Sequence, residues 1–310
     1  MNKNAYLFPG QGAQYPGMGK DFAASFAAAR ETFEEADDIL SESISRVVFE
    51  GPEELLTQTK YSQIGIFVAS AAILRTIETQ FPLLKPSICA GLSLGEYTAL
   101  FASGRLGFAD TLKLVRERSR LMNEACERTQ GAMSAVLGLD PEAVEEALRG
   151  IEGVWIANYN CPGQIVISGT KQGVENAAAS LKAKGAKRVL PLSVHGAFHS
   201  GLMQSAQDGL APFIAAAPIG DSQVEFVMNV PGDFVVNADE VRRHLTAQVT
   251  HSVRWEQGIR AMGEMDLFLE IGCGKTLSGM NKKIGVLAPT VSVDKVEDLE
   301  RIGEMVCSKC

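Results

Sequence analysis

The chain has 310 residues, room for one large domain or two smaller ones, and 46% of them are hydrophobic, enough for a sizeable core. A formal net charge of −8 excludes non-specific nucleic-acid binding, which needs a basic face. The most apolar run, Ile64 to Leu74, is too short to span a bilayer and is followed by Arg75, and no secretory signal precedes Tyr6-Leu7-Phe8-Pro9, so the expectation is a soluble, cytoplasmic protein.

Ala5 to Phe8 reads as a first strand, followed by the glycine-rich loop Pro9-Gly10-Gln11-Gly12-Ala13-Gln14. Tyr15 stands where a dinucleotide-binding fingerprint needs its third glycine. The loop is therefore a plain strand-to-helix connection or one that presents backbone amides to an anion. Asp21 to Leu40 and Tyr61 to Phe81 have helical periodicity. Next comes a short apolar strand, Ser87 to Ala90, then Gly91-Leu92-Ser93-Leu94-Gly95, then an apolar helix from Leu94. G-x-S-x-G between strand and helix is the pattern of a nucleophile elbow, a sharp turn that lifts one hydroxyl clear of the backbone. Gly91 and Gly95 suit a turn with no room for Cβ atoms. The competing reading is a capping box, S-x-x-E, over Ser93 to Glu96.

Asp110 opens a helix through Cys126. Leu114, Val115, Leu121 and Met122 form its apolar stripe, and Arg118 falls within that stripe. A guanidinium on a buried face needs a partner, because a lone buried charge is costly. That partner is an internal carboxylate or something that comes from outside.

The following residues read as a separate unit. Ala132 to Leu139, Val154 to Asn158, Gln164 to Ser168 and Lys187 to Val194 are strands. Helices start at Asp140-Pro141 and at Thr170. The order β-α-β-β-α-β is the ferredoxin-like pattern. The expected architecture is α/β: a large α/β-hydrolase-like domain of residues 1–126 and 195–310, with a small ferredoxin-like (βαββαβ) subdomain inserted at 127–194.

His199 follows the insert, ahead of a helix predicted from Ser200 to Ala217. The positive end of that helix favours a neutral imidazole, the form a general base requires. Val224 to Val230 reads as a strand, Asp239 to Gln248 and Trp255 onward as helices, and Asp266 to Ile271 as a strand. Gly272-Cys273-Gly274-Lys275-Thr276 lacks the first glycine of a phosphate-binding loop, since Leu269 stands there, so a tight turn is expected. The six cysteines are scattered, which reads as free thiols in a reducing compartment. Cys307-x-x-Cys310 has metal spacing but no second pair nearby. A serine nucleophile needs a base in reach and an acceptor that orients the base. Among His195, His199, His244 and His251 the sequence favours His199 only by its position, near a domain junction and a helix start.

Together, F-P-G-Q-G-A-Q (Phe8 to Gln14), G-L-S-L-G-E (Gly91 to Glu96), R-S-R-L-M (Arg118 to Met122), N-Y-N-C-P-G-Q-I-V-I-S-G (Asn158 to Gly169), G-A-F-H-S (Gly196 to Ser200), Q-V-T-H-S-V-R-W (Gln248 to Trp255) and E-I-G-C-G-K-T-L (Glu270 to Leu277) span the chain. In this order they resemble the malonyl-CoA:acyl carrier protein transacylases, acyltransferases of fatty acid and polyketide synthesis. The resemblance implies transfer of malonyl from malonyl-CoA to the phosphopantetheine thiol of acyl carrier protein through a malonyl-serine intermediate. It implies a Ser-His dyad with ping-pong kinetics, no metal and no cofactor, since both thioesters are substrates.

The resemblance further implies roles for individual residues. Ser93 is the nucleophile and His199 its base. The main-chain carbonyl of Gln248 orients the imidazole. The amides of Gln11 and Leu94 form the oxyanion hole, Arg118 binds the malonyl carboxylate, and Phe198 favours malonyl over methylmalonyl. The family commonly has His where Leu92 stands and Ser where His195 stands. The isolated chain is expected to be a discrete enzyme and a monomer. Its acidity leaves docking of an acidic carrier protein to a local basic patch, with Lys187, Arg188, Lys275, Lys282 and Lys283 as candidates. The alternatives are a serine hydrolase or thioesterase of the α/β-hydrolase class, which shares the elbow, and a malonyl- or CoA-binding sensor that needs no reactive serine.

Overall fold

The computed structural model describes residues 3–194 and 196–307. The expectations attached to His195 and to Cys310 lie outside the described residues. The strands, in chain order, are β1 (Asn4–Phe8), β2 (Ile88–Gly91), β3 (Gly131–Leu137), β4 (Val154–Cys161), β5 (Gln164–Thr170), β6 (Arg188–Pro191), β7 (Glu225–Met228), β8 (Asp233–Val235), β9 (Val253–Arg254), β10 (Leu267–Ile271) and β11 (Thr290–Val293).

Six strands form one sheet in the order β11-β10-β1-β2-β7-β8. All its pairings are parallel except β7 with β8. β1 and β10 are buried along their whole length, as expected of parallel strands covered by helices on both faces. The helix Thr59–Gln80 packs here with every residue from Ser62 to Leu74 buried. This is the apolar run that the sequence reading set aside as too short for a membrane span. Among the described residues no helix is long and apolar enough to cross a membrane.

The other sheet has the order β6-β3-β5-β4-β9. β3 pairs antiparallel with β5 and β6, and β4 antiparallel with β5. The helices Pro141–Leu148 and Lys171–Ala183 bury Val144, Val174 and Leu181 against Val136, Ile165 and Ile167; a Val or Leu fully buried in this way contributes about 1.5–3 kcal/mol. Both helices start as the sequence requires. Asp140 accepts from the Ala143 amide at 2.8 Å, and Thr170 from the Gly173 amide at 2.9 Å. The fifth strand, β9, comes from the later chain and runs parallel to β4.

Four differences from the sequence reading have local causes. The helix expected over 21–40 is two, Lys20–Ser25 and Ala27–Leu40, because Phe26 is extended with φ −130°. The break turns the second helix so that Ala29, Phe33 and Ala36 are buried. The strand expected to reach Leu139 stops at Leu137, since Gly138 has φ 89°. The helix after His199 begins with a 3₁₀ turn, Gly201–Met203, before Gln204–Ala216. Finally, the structure adds β8, β9, β11 and the helices Ile44–Glu50, Glu53–Leu56 and Asp298–Cys307 to the expected elements.

Candidate active site

The elbow forms at the carboxyl end of β2, and the helix Gly95–Ala102 follows it. Ser93 is held at φ 52°, a left-handed conformation costly for a residue with a Cβ. The flanking glycines explain how the turn closes. A Cβ on Gly91 would lie 1.9 Å from the Gly95 carbonyl carbon, and one on Gly95 would lie 2.1 Å from the Phe8 carbonyl oxygen. The capping-box alternative fails on its hydrogen bonds. The Ser93 amide donates to Asn229 Oδ1 at 2.7 Å, and Glu96 accepts from the Asn229 amide and from Gln248 Nε2.

Among the described histidines it is His199 that the structure brings to Ser93, with Ser93 Oγ 2.8 Å from His199 Nε2. The other ring nitrogen, Nδ1, lies 2.8 Å from the main-chain carbonyl of Gln248. A carbonyl can only accept, so Nδ1 carries the proton and Nε2 is free to accept from the serine hydroxyl. Burial, and then the nearby Arg118 cation, push the His199 pKa down to about 4, against the pull of the Gln248 carbonyl. The imidazole is therefore neutral at pH 7. Burial accounts for this first, where the sequence reading had relied on the helix terminus.

Arg118, on the helix Phe108–Arg128, is 1% exposed. Among the described residues it has no carboxylate at ion-pair distance. Its guanidinium donates to Gln63 Oε1 at 2.6 Å, to Gln248 Oε1 at 2.9 Å and to Ser93 Oγ at 3.0 Å, and lies 5.4 Å from the centre of the Tyr97 ring. An internal carboxylate as direct partner is thus ruled out. Buried Glu96 reaches it by hydrogen bond through Gln248 and acts on it directly by charge across a longer distance, and burial raises the Glu96 carboxyl to about 8.

Ser93 and His199 open onto a pocket of about 250 Å³ lined by residues of both sheets, with Arg118 behind the serine hydroxyl. The loop Pro9–Ala13, Leu92, Ser93, Met122, Phe198 and His199 line one side; Met133, Asn158, Asn160 and Val166 of the smaller sheet and Thr276, Leu277 and Met280 line the rest. Phe198 sits beside the dyad, 6% exposed. Leu92 makes the wall apolar where a second imidazole would have stood. Gln11 lines the pocket and Leu94 begins the turn into the helix; neither main-chain amide donates to a protein acceptor among the described residues. Gln11 lies in a glycine-rich turn and Leu94 at a helix start, the two backbone settings that favour anions.

The reading from sequence missed Gln63, Glu96 as a site residue, and Asn229. Asn229 Nδ2 also donates to the Gly91 carbonyl at 2.8 Å, so one asparagine ties down both ends of the elbow. The strand expected over Val224 to Val230 ends at Met228, so Asn229, read as a strand residue, stands just past its end and carried no signal that singled it out. The basic candidates are spread out. Lys275 faces Asp298 at 3.8 Å, and Lys283 donates to Gln164 Oε1 at 3.2 Å. Cys89, Cys126, Cys161 and Cys273 are free and buried.

A family model described as the acyl transferase domain matches residues 5–296. The chain is 42% identical to the malonyl CoA-acyl carrier protein transacylase of Bacillus subtilis over 306 residues, 97% of this chain and 96% of that one. It superposes on the acyl-carrier-protein S-malonyltransferase of Bartonella henselae with a TM-score of 0.93 at 37% identity, covering 98% and 99% of the two chains. A second solved structure, a type II PKS acyl-carrier protein in complex with its malonyl-transacylase, matches with a TM-score of 0.92 at 37% identity over 96% and 98%. The chain belongs to the acyl transferase family, and within it to the malonyl-CoA–acyl carrier protein transacylases.

Proposed function

We propose that the chain transfers malonyl from malonyl-CoA to the phosphopantetheine thiol of acyl carrier protein, supplying fatty acid synthesis, through a malonyl ester on Ser93. The observation that carries this reading is Arg118: a buried cation without a carboxylate partner, 3.0 Å from the candidate nucleophile. A guanidinium fork suits a carboxylate in bidentate geometry, and malonyl brings one.

The chemistry follows from the atoms. Ser93 Oγ attacks the thioester carbonyl as its proton moves to His199 Nε2. The Gln248 carbonyl holds Nδ1–H and so keeps Nε2 aimed at the serine. The oxyanion falls to the amides of Gln11 and Leu94, each worth roughly 3–4 kcal/mol in such a role. As the tetrahedral species collapses, the C–S bond breaks and CoA leaves with the proton from His199. The carrier-protein thiol then gives its proton to His199 and attacks the ester, and Ser93 departs protonated. Two half-reactions at one site are ping-pong. No step requires a cofactor. Phe198 would narrow the acyl site against a branched chain.

The architecture that supports this is an α/β-hydrolase-like core of residues 1–126 and 195–310, with a ferredoxin-like insert at 127–194 forming the opposite wall of the pocket. The β6-β3-β5-β4 order of the insert agrees with that reading. The chain is read as a cytoplasmic monomer. The hydrolase alternative gives no reason for an unpaired arginine beside the nucleophile. Intact mass after mixing with malonyl-CoA tests the proposal. A covalent malonyl adduct on Ser93, discharged to carrier protein, is expected; release of free malonate with no transfer would favour the hydrolase, and no adduct the sensor.

A further inference from the structure

Glu96 is completely buried and makes no ion pair among the described residues. Each of its carboxyl oxygens faces an N–H: Oε1 accepts from the Asn229 amide at 2.6 Å and Oε2 from Gln248 Nε2 at 2.6 Å. A carboxylate satisfies two such donors. A carboxamide or a protonated acid would set a donor against a donor at one of them. Gln248 Nε2 also donates to the Ser93 carbonyl at 2.9 Å and reaches Asn229 Oδ1 at 3.4 Å. All three neighbours of that nitrogen are acceptors, so the amide oxygen must point the other way, at Arg118 Nη2, 2.9 Å off. Gln63 Oε1 takes Nη1 at 2.6 Å. Two amide oxygens thus aim the guanidinium, and the orientation of one of them is set from behind.

We propose that Glu96 is a positioning residue: it fixes the side-chain amide of Gln248 with its oxygen toward Arg118, and so sets the guanidinium to receive the substrate carboxylate. This rests on the reading of Arg118 as the carboxylate site. The imidazole escapes this control, because His199 Nδ1 bonds to the main-chain oxygen of Gln248 and not to its amide. Glu96 therefore governs recognition of malonyl; it touches the elbow through the Asn229 amide and Gln248 Nε2, and neither of those bonds ends on the Ser93 hydroxyl or the imidazole. The charged and titratable groups that act on it are Arg118 from the helix Phe108–Arg128 and Tyr97 on its own helix. Burial raises the carboxyl to about 8 even with the Asn229 amide, Arg118 and Gln248 drawing it down, so the loading test is run above pH 8, where the carboxylate that the two donors require is present.

Single-turnover loading of Ser93 tests this with Glu96→Gln, and thermal melting checks the fold. A hydrogen bond to a charged group corresponds to about a tenfold or larger change in equilibrium. The apparent Kd for malonyl-CoA should rise about tenfold or more. The acylation rate constant, and acetyl loading, should each stay within about threefold. In an Arg118→Ala background the second substitution should add nothing. A folded Glu96→Gln variant that loses both substrates equally, or neither, overturns the proposal. Arg118→Ala run in parallel separates the two ideas. If it keeps the malonyl preference, the carboxylate site lies elsewhere and the proposal falls with it; if it loses the preference and Glu96→Gln does not, only the role of Glu96 falls. Should Glu96→Gln not fold, the wild type carries the test by NMR. The Glu96 carboxyl carbon and Gln248 Nε2 should titrate with one midpoint, and a Gln248 nitrogen unmoved through the Glu96 titration overturns the proposal.

Discussion

Arg118 is the side chain whose surroundings say most about chemistry, because its hydrogen bonds go to neutral oxygens and none to a carboxylate. Arg118→Ala should cut malonyl loading at least about a hundredfold, since each hydrogen bond between charged groups contributes on the order of 1.5–3 kcal/mol. Acetyl loading should hold or rise. The check is kcat/KM for both thioesters with circular dichroism; equal losses in a folded variant would make the arginine structural. His199 gives a prediction in pH. Its pKa is depressed to about 4, so the neutral base survives well below the usual imidazole range. The acid limb of acetyl loading, whose substrate has no titrating carboxylate, should fall near pH 4, and a limb near 6.5 would show an imidazole open to water. The same depression affects stability. The unfolded chain binds the proton at the higher pH, so this site's contribution to stability is lost as pH falls from about 6.5 towards 4.

The elbow is an element made by its glycines. Gly95→Ala places a methyl 2.1 Å from the Phe8 carbonyl oxygen, a backbone atom that cannot step aside. Overpacking typically costs about 1–3 kcal/mol and more against fixed backbone, so a large drop in melting temperature with loss of loading is expected. Unchanged melting would mean that the turn can relax. By contrast, Asp140→Ala removes only an N-cap on a helix remote from Ser93. It should cost about 1 kcal/mol and leave kcat/KM as it was; a change in turnover would mean that this helix supports the pocket. Elements announced by local chemistry were legible in the sequence: the elbow by its paired glycines, the two caps by Asp140 and Thr170, the buried strands by their apolar runs. The break at Phe26 was not, because the residues around it are good helix formers and only packing selects the extended backbone. The Glu96–Gln248–Asn229 set was not either. Its members stand far apart in the chain, and Glu96 had a sufficient local explanation as a cap.

At the level of the complete fold, the pocket lies between two sheets, and a carrier protein must reach it past the rim. Lys282 and Lys283 end the helix Thr276–Ile284, whose first turns line the pocket, and both are exposed. Lys282→Glu with Lys283→Glu should raise the KM for carrier protein several-fold and leave malonyl-CoA loading nearly unchanged; equal effects on both half-reactions would remove this helix from the docking surface. Lys275 is the weaker candidate, its charge already answered by Asp298.

The strand β9 has a practical consequence for anyone who would move the smaller sheet between proteins. It supplies the outer edge beside β4 although it is encoded some ninety residues later in the chain. A cassette cut at 127 and 194 would leave that seam behind, and the transplanted β4 would carry bare main-chain donors and acceptors, an invitation to pair with another molecule. A working chimera must take its new insert together with a matching Ser252–Arg254 segment, or keep a β4 edge that the host's own strand can still recognise.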